Sequence, residues 1–395
     1  MSQLVGVRNA LVSCLFLLAA FIHGNALAQA RPADAAAQAA ANTRYDQERK
    51  AVNSNVVYIA AGAPTSAYAR IAEDIQIVLE DAQAREMRVL PTMSRGGGQN
   101  FVDILLLNGV DMALVEQDHL TYFREKDPVL YRNVEQRVRY ITKLYNSEFH
   151  IVAKKDVTDV AMLKGKKVNF FKELSSTAIC AENVFKLLSV PVEPTFYDDN
   201  TALQKLKSGE IAGIARLGGA PLSTFTGIKP EDGLHFVALD EQSDKYAELL
   251  QVYAPSLLKS ELYPNMIPKG QAVLSLANAT ILVTYNWPEN SERYRRIAQF
   301  VDRFFDRFDQ FSQPPRHPKW KEVNLAAQLA GWQRFPAAKQ WLDRHATVSA
   351  TGSQQMKKEF EKFMDETSKT SSMTPAQRDA VIKDFTNWYN AQTRK

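Results

Sequence analysis

The sequence predicts an α/β protein whose two lobes surround a hinged ligand cleft, followed by a helical C-terminal extension. From Asn55 onward, short β-rich runs alternate with amphipathic helical stretches, a pattern typical of a largely parallel sheet flanked by helices. The alternation stops near residue 138 and then begins again, which indicates a second α/β unit. Later apolar runs can carry the chain back to the first unit, and a cleft between lobes joined by several crossings is a common ligand site.

Length and composition exclude several classes of protein. The 395 residues correspond to two or three domains, and 45% apolar and 23% charged residues are typical of a soluble globular chain. A net charge of +4 does not indicate a nucleic-acid-binding surface, and two cysteines exclude a disulfide scaffold or a Cys-rich zinc fold. We therefore expect a monomer with no nucleic-acid partner.

Residues 1–30 read as a cleaved signal peptide. Arg8 is followed by the apolar run Ala10–Ile22, which is short for a membrane span, and then by small residues suited to cleavage after Ala28 or Ala30. An uncleaved membrane anchor is the alternative. Cleavage predicts a periplasmic protein whose remaining cysteine, Cys180, lies on an apolar helix face and is expected to be a buried thiol.

The first lobe begins after an alanine-rich, polar stretch at residues 31–53, which we expect to be a flexible leader or a frayed helix. Residues 54–145 are assigned to the first part of lobe 1. The predicted elements are strand Asn55–Ala60, helix Ser66–Leu79, strand Met87–Leu90, helix Gln99–Leu107 and strand Asp111–Val115.

Lobe 2 is assigned to residues 146–250. Two β-rich runs, Val138–Leu144 and Phe149–Lys154, are separated by Tyr145–Glu148 and lead into it. The elements that follow are Lys167–Phe170, helix Ser176–Leu188, Glu193–Phe196, helix Thr201–Lys207 and Ile211–Arg216.

Residues 251–312 are expected to return to lobe 1 and to close it with a helix at Ser291–Phe308, after strands at Gln251–Leu257 and Ala272–Val283. Residues 313–395 form the predicted helical extension. It holds most of the tryptophans, and either packing against lobe 1 or docking of a partner explains them: Trp320, Trp332, Trp341 and Trp388.

Motifs of known catalytic chemistry are absent from the sequence. There is no nucleophile elbow, Walker A loop, zincin helix or dinucleotide-binding loop, and after the signal peptide no two histidines have metal-ligand spacing. We expect no cofactor, no metal and no enzymatic activity.

Three loops of small residues, each between a strand and a helix, are the main candidate ligand contacts. Backbone N–H groups and hydroxyls at a helix N-terminus suit an anion, and glycine lets a ligand approach the backbone closely. The same serines and threonines also serve as simple helix caps. The candidates from these loops are Gly62, Thr65, Ser66, Gly97, Gly98, Gln99, Ser175, Ser176 and Thr177.

Further candidates lie at the ends of strands. Arg216 closes the strand Ile211–Arg216 just before Gly218, and an arginine there suits a carboxylate, with a surface salt bridge as the alternative. Arg95 is a second candidate of this kind. The remaining candidates are Tyr68, with core packing as the alternative, and Gln117 and Asp118, with helix capping as the alternative.

A series of short blocks carries a family resemblance. In chain order the blocks are Gly62–Tyr68, Gly97–Asp118, Leu163–Val168 (LKGKKV), Ser175–Thr177 and Leu206–Gly213 (LKSGEIAG), followed by Gly218 and Pro221. Across residues 55–310, this order resembles the TAXI family of solute-binding proteins, which serve tripartite ATP-independent periplasmic (TRAP) transporters. The first loop lacks two glycines and one tyrosine of the family pattern, and the third loop keeps the hydroxyls of that pattern but not its glycines.

The resemblance implies a type 2 periplasmic-binding fold and delivery of a ligand to TRAP membrane subunits. It also implies a small carboxylate ligand, such as an acidic amino acid or a 2-oxo acid. Two other functions stay open at this point. The divergent loops and the Trp-bearing tail fit a periplasmic sensor or interaction protein not coupled to transport. A secreted enzyme would require a Ser-His or acid pair meeting in the cleft.

Overall fold

The structure is a computed structural model that describes residues 32–80 and 87–345. The predicted signal peptide, the last part of the extension and Trp388 lie outside these residues. The chain divides into two units at the boundary between Asn55 and Val56. The first contains helix α1 (Pro32–Ser54), whose described side chains are almost all exposed, where we expected a flexible leader or a frayed helix. Its alanines favour a helix without any core to pack against.

The second unit contains a ten-stranded sheet. Its main path runs β2-β1-β3-β10-β4-β7-β5-β6, while β8 pairs with β4 and β9 pairs with β10. The strands are β1 (Val56–Ala60), β2 (Arg88–Thr92), β3 (Met112–Glu116), β4 (Val138–Lys154), β5 (Lys167–Asn169), β6 (Glu193–Thr195), β7 (Gly213–Gly218), β8 (Leu234–Phe236), β9 (Ala254–Lys259) and β10 (Ala272–Tyr285).

Helices connect these strands and confirm the α/β class that the alternation predicts. The α-helices of this unit are α2 (Ala67–Leu79), α3 (Gly97–Leu106), α4 (His119–Lys126), α5 (Val134–Arg137), α6 (Ser176–Leu187), α7 (Asp199–Ser208), α8 (Ser223–Thr226), α9 (Asp244–Leu249), α10 (Glu292–Asp306) and α11 (336–345). The parallel pairs β1–β2, β1–β3, β5–β6 and β5–β7 account for the predicted strand–helix–strand units.

Two long antiparallel strands, β4 and β10, join the two halves of the sheet. The amino-terminal part of β4 pairs with β10, and from Glu148 onward β4 pairs with β7. The prediction of two runs interrupted at Tyr145–Glu148 is therefore wrong, because these four residues continue one strand. We call β1, β2 and β3, with the adjoining parts of β4 and β10, the first half; β5, β6, β7 and β8, with the remainder of β4, form the second half.

Each half of the sheet has its own apolar core. In the first half, Ile75 of α2 and Phe304 of α10 pack in one cluster, while Phe101 of α3 belongs to another. In the second half, Val184 and Cys180 of α6 pack in a separate cluster. Cys180 is a buried free thiol, as predicted.

The C-terminal segment packs against the first half. Trp320, 1% exposed, and Trp332, 8% exposed, lie within its two clusters, which confirms the core-packing interpretation for these two rings. Helical structure occurs as a 3-10 turn at Pro318–Glu322 and as α11, whereas residues 323–335 are mostly irregular. No helix in the described part of the chain is long and apolar enough to cross a membrane.

Candidate functional site

A cavity of about 290 Å³ is lined by residues from both halves of the sheet. The first half contributes the loop after β1 and Glu116 at the end of β3. The second half contributes the amino end of α6 and the carboxyl end of β7. Strand β4, which passes between the halves, contributes Tyr145 and Ser147. The size suits a small metabolite rather than a large cofactor.

Most of the predicted ligand contacts line this cavity. Those from the first half are Gly62, Thr65, Ser66, Tyr68 and Arg95. Those from the second half are Ser175, Ser176, Thr177, Arg216 and Gly218. The structure therefore brings together residues that are far apart in the sequence, at the ends of strands where an open α/β sheet offers a crevice.

Some of the loop hydroxyls act as helix caps. Ser66 Oγ accepts the Ala69 N–H at 3.2 Å and donates to the Ala63 carbonyl at 2.6 Å. Ser175 Oγ accepts the Ala178 N–H at 3.1 Å. These two side chains thus match the capping alternative, while their caps fix two helix N-termini at the cavity wall.

Arg216 is the principal cation of the cavity wall. The residue is only 4% exposed, its Nε donates to Asp199 Oδ1 at 2.7 Å, and its guanidinium carbon lies 5.0 Å from the centre of the Phe171 ring. Its Nη1 donates to the Ala215 carbonyl at 2.7 Å, whereas Nη2 is buried with no hydrogen-bond partner among the described residues. Burial lowers the pKa of this guanidinium, and Asp199 opposes that change. Arg216 therefore offers an unused pair of N–H donors.

Glu116 is a buried carboxyl of the cavity wall. The residue is 1% exposed, and its Oε1 accepts the Tyr68 hydroxyl at 2.7 Å. The Thr280 hydroxyl lies 3.1 and 3.2 Å from the two carboxyl oxygens. Burial raises the pKa of Glu116 well above its usual range, and the neighbouring Asp118 raises it further. Nearby, the Tyr145 hydroxyl is buried and has no partner within the described ranges.

The glycines and the glutamine predicted from the second loop pack beneath the cavity rather than lining it. The Gly97 N–H donates to Ser176 Oγ at 3.2 Å, and the Gln99 N–H donates to the Leu174 carbonyl at 2.9 Å. A Cβ on Gly98 would stand 2.5 Å from that same carbonyl oxygen. These residues let α3 approach the loop before α6 closely, so they hold the two halves together.

The residues predicted just after β3 also make other contacts. Asp118 is buried, with Oδ1 2.8 Å from His119 Nδ1 and Oδ2 accepting the Tyr253 hydroxyl at 2.9 Å. The Gln117 carbonyl accepts the Trp332 Nε1–H at 3.1 Å. Neither residue lines the cavity that Arg216 lines.

Sequence reasoning missed several cavity residues. Glu116 closes an apolar strand next to the chosen Gln117, and an acid at the end of a buried strand was the available signal. Tyr145 and Ser147 lie in a segment that we predicted to interrupt two strands. Asp199 and His317 come from segments without a motif, and burial lowers the pKa of the His317 ring.

Within residues 32–80 and 87–345, no group of three or more His, Cys, Asp or Glu side chains is placed to hold a metal ion. The polar lining of the cavity consists of hydroxyls, the buried Arg216 and Glu116, and four side chains that are more exposed, Arg70, Arg95, Asp199 and His317. The arrangement suits the binding of a small polar molecule.

A two-lobed α/β chain with such a cavity between its halves has the type 2 periplasmic-binding fold. The chain belongs to the NMT1-like family, a family of the periplasmic solute-binding type, whose model matches residues 59–333. Members of this family are binding proteins. The comparison with curated proteins finds no match.

Several solved structures are similar in part. MatC from Rhodopseudomonas palustris with bound malate is 12% identical, covers 70% of this chain and 92% of that one, and has a TM-score of 0.46. The substrate-binding protein AbpA from Streptococcus pneumoniae bound to L-arginine is 12% identical, with 65% and 92% covered and a TM-score of 0.36. The OxyR C206 mutant from Corynebacterium glutamicum is 12% identical, with 71% and 72% covered and a TM-score of 0.39. The bound malate and L-arginine belong to those two proteins and are not assigned to this chain.

Proposed function

We propose that this solute-binding protein captures a small organic anion, a carboxylate such as an acidic amino acid or a 2-oxo acid, and delivers it to a TRAP-type membrane transporter. The observation that carries the proposal is Arg216, a buried guanidinium in the cavity wall whose Nη2 has no partner among the described residues.

A buried N–H donor without an acceptor costs free energy, and a ligand oxygen removes that cost. A carboxylate fits a guanidinium especially well because two of its oxygens can accept at once. The amino end of α6, capped by Ser175, adds partial positive charge at the same wall. Glu116, a buried carboxyl of the same cavity, disfavours an anion at its own position, so we expect the anionic group of the ligand at Arg216.

Two further observations support the transport step. The leader at residues 1–30 has the pattern of a secreted protein, and the blocks from Gly62 to Pro221 follow the order of TAXI proteins. Cavity residues from both halves also allow a ligand to stabilise a closed form, because only a ligand that binds that form more tightly shifts the equilibrium.

Calorimetric titration of the purified protein with a panel of small carboxylates tests the binding step. We expect at least one to bind, and Arg216→Gln to weaken it about 30-fold or more, as expected when one partner of a buried charge pair is removed. Arg334→Gln is the matched control, because Arg334 donates to the carbonyls of Leu325 and Ile141 outside the cavity. Failure of every carboxylate to bind, or unchanged affinity in Arg216→Gln, contradicts the proposal.

Uptake of the bound carboxylate by cells with and without the gene tests delivery. We expect uptake to be lost in the deletion strain and to depend on an ion gradient rather than on ATP. Normal uptake in the deletion strain, together with tight binding by the purified protein, would indicate the sensor function instead.

A further inference from the structure

We propose that Glu116 forms a second subsite in the cavity, which binds a protonated nitrogen of the ligand in exchange for a proton of its own. The ligand is then a zwitterion, with its anionic group at Arg216 and an ammonium group at Glu116. This inference rests on the proposed function, which places the anionic group at Arg216.

The direction of the hydrogen bonds around Glu116 carries the inference. The Gly97 N–H donates to Ser176 Oγ at 3.2 Å, so the Ser176 hydroxyl is free to donate to Tyr68 Oη, 3.1 Å away. Tyr68 in turn donates to Glu116 at 2.7 Å. On the other side, Ser147 Oγ lies 2.8 Å from Thr280 Oγ1, which donates to Glu116. Both chains of donors end on this carboxyl, so the network can hold its ionised form once a cation supplies the balancing charge.

Among the described residues, none of the groups that face Glu116 is a cation. The groups that face Glu116 are the hydroxyls of Tyr68, Thr280 and Ser147, the phenol of Tyr145 and the carboxylate of Asp118. Asp118 is already bonded to His119 and Tyr253. Burial, and then the negative charge of Asp118, raise the pKa of Glu116, which favours the protonated acid as long as no cation is near.

A ligand ammonium group supplies the missing positive charge. Its approach stabilises the ionised carboxylate, and the proton of Glu116 leaves to solvent. The Tyr145 hydroxyl, buried in the same cavity without a partner among the described residues, offers an oxygen acceptor for another N–H. A second carboxylate at this position would instead face Glu116 and Asp118 with no cation between them.

The basic groups at the cavity rim do not alter this assignment. Arg70 is bonded to Glu73 at 2.7 Å and lies 3.7 Å from Asp74, and Arg95 is exposed. The ligand class is therefore an amino carboxylate, or an amino sulfonate of similar size, rather than a 2-oxo or 2-hydroxy acid.

Isothermal titration at pH 7 tests the proposal, with the twenty common amino acids, taurine and the matched 2-oxo and 2-hydroxy acids as probes. We expect the amino compound of the best-binding set to bind about 30-fold or more tightly than its oxo and hydroxy analogues. Titration in phosphate and in Tris, whose ionisation enthalpies differ, should show that binding releases protons. Below the pKa of Glu116 in the empty protein, affinity should fall about tenfold per pH unit.

Variants test whether Glu116 is the group that releases the proton on binding. Glu116→Gln should abolish proton release and weaken the amino ligand, while Glu182→Gln, which alters an exposed glutamate bonded to Tyr122, should change neither. If Glu116→Gln does not fold, the proton count of the wild type and the comparison of matched analogues still decide. Tightest binding of an oxo or hydroxy acid, or binding without proton release, overturns this inference and leaves the proposed function standing. Failure of every anion to bind removes both.

Discussion

The first half of the sheet buries more carboxyl groups than the second. The carboxyl groups that the first half buries are Asp74, Asp111, Glu116 and Asp118, and it also buries His119. The second half buries Arg216 and His150, while Glu148 is buried where β4 passes between the halves. Most of these groups have donors or acceptors close by: Asp74, for example, accepts the Trp320 Nε1–H at 2.9 Å and the His317 N–H at 2.8 Å.

The difference between the halves matters where they meet. A buried charge is tolerated when it is paired or hydrogen-bonded, so an acid and a base held apart across a cavity leave room for a molecule that pairs with both. Glu116 and Arg216 both line the cavity. The charges buried around the cavity therefore predict which groups of the ligand are charged. Three changes test the contrast between the two halves.

The largest effect is expected from Lys319→Met. Lys319 comes from the C-terminal segment and is buried against Glu148, at the point where β4 passes from one half to the other. Removal of the ammonium leaves an uncompensated buried carboxylate, so the free energy of unfolding should fall by about 3–5 kcal/mol. Urea unfolding of the variant and the wild type measures this difference in free energy.

The matched control is Lys339→Met. Lys339 also forms an ion pair within the C-terminal segment, with Asp343, but both side chains are exposed. Because exposed ion pairs contribute little, this variant should unfold like the wild type. Equal stability of Lys319→Met and Lys339→Met would mean that the Glu148 pair does not join the halves.

The sequence was enough for the fold but not for every element. Alternating apolar patterns located β1, β3, α2, α6 and α10 to within a few residues. Strand β4 was divided in two because Tyr145–Glu148 contains polar residues, and polar residues normally end a strand. In the structure, Ser147 is buried where β10 pairs with β4, so a tertiary contact outweighs the local signal.

The residues of the candidate site that depend on local sequence could be predicted. Arg216 at the end of a strand, and serines at helix N-termini, follow from local sequence and line the cavity. Glu116 and His317 do not, because their position depends on pairings between distant segments such as β3 with β10. Gly97 and Gly98 were chosen for ligand approach, yet the chain that approaches them is the loop before α6.

The second prediction concerns pH. Burial lowers the pKa of His150 from 6.5 to about 3, so between these values the unfolded chain takes up a proton that the folded chain does not. Stability should therefore fall as pH falls. For Glu116 the pKa is raised from 4.5, so above 4.5 the folded chain keeps a proton that the unfolded chain loses, and stability should fall as pH rises.

Urea unfolding at pH 5 and pH 6 separates the two contributions. Relative to the wild type, His150→Gln should gain about 1 kcal/mol of stability on going from pH 6 to pH 5, and Glu116→Gln should gain a similar amount in the opposite direction. The double variant should show neither trend, because the two changes cancel. Parallel slopes in both single variants would contradict the opposite pKa shifts of His150 and Glu116.

The smallest effect on stability is expected from Tyr145→Phe. The hydroxyl of Tyr145 has no partner in the described chain, so its removal should not lower the melting temperature. If that hydroxyl binds the ligand, affinity should fall about fivefold, the value of one hydrogen bond. Tyr263→Phe should have the converse effect. The Tyr263 hydroxyl lies outside the cavity, 2.8 Å from both His150 Nε2 and the Leu222 nitrogen. Its removal should therefore lower stability and leave affinity unchanged. The same pattern in both variants would show that the Tyr145 hydroxyl serves the core instead.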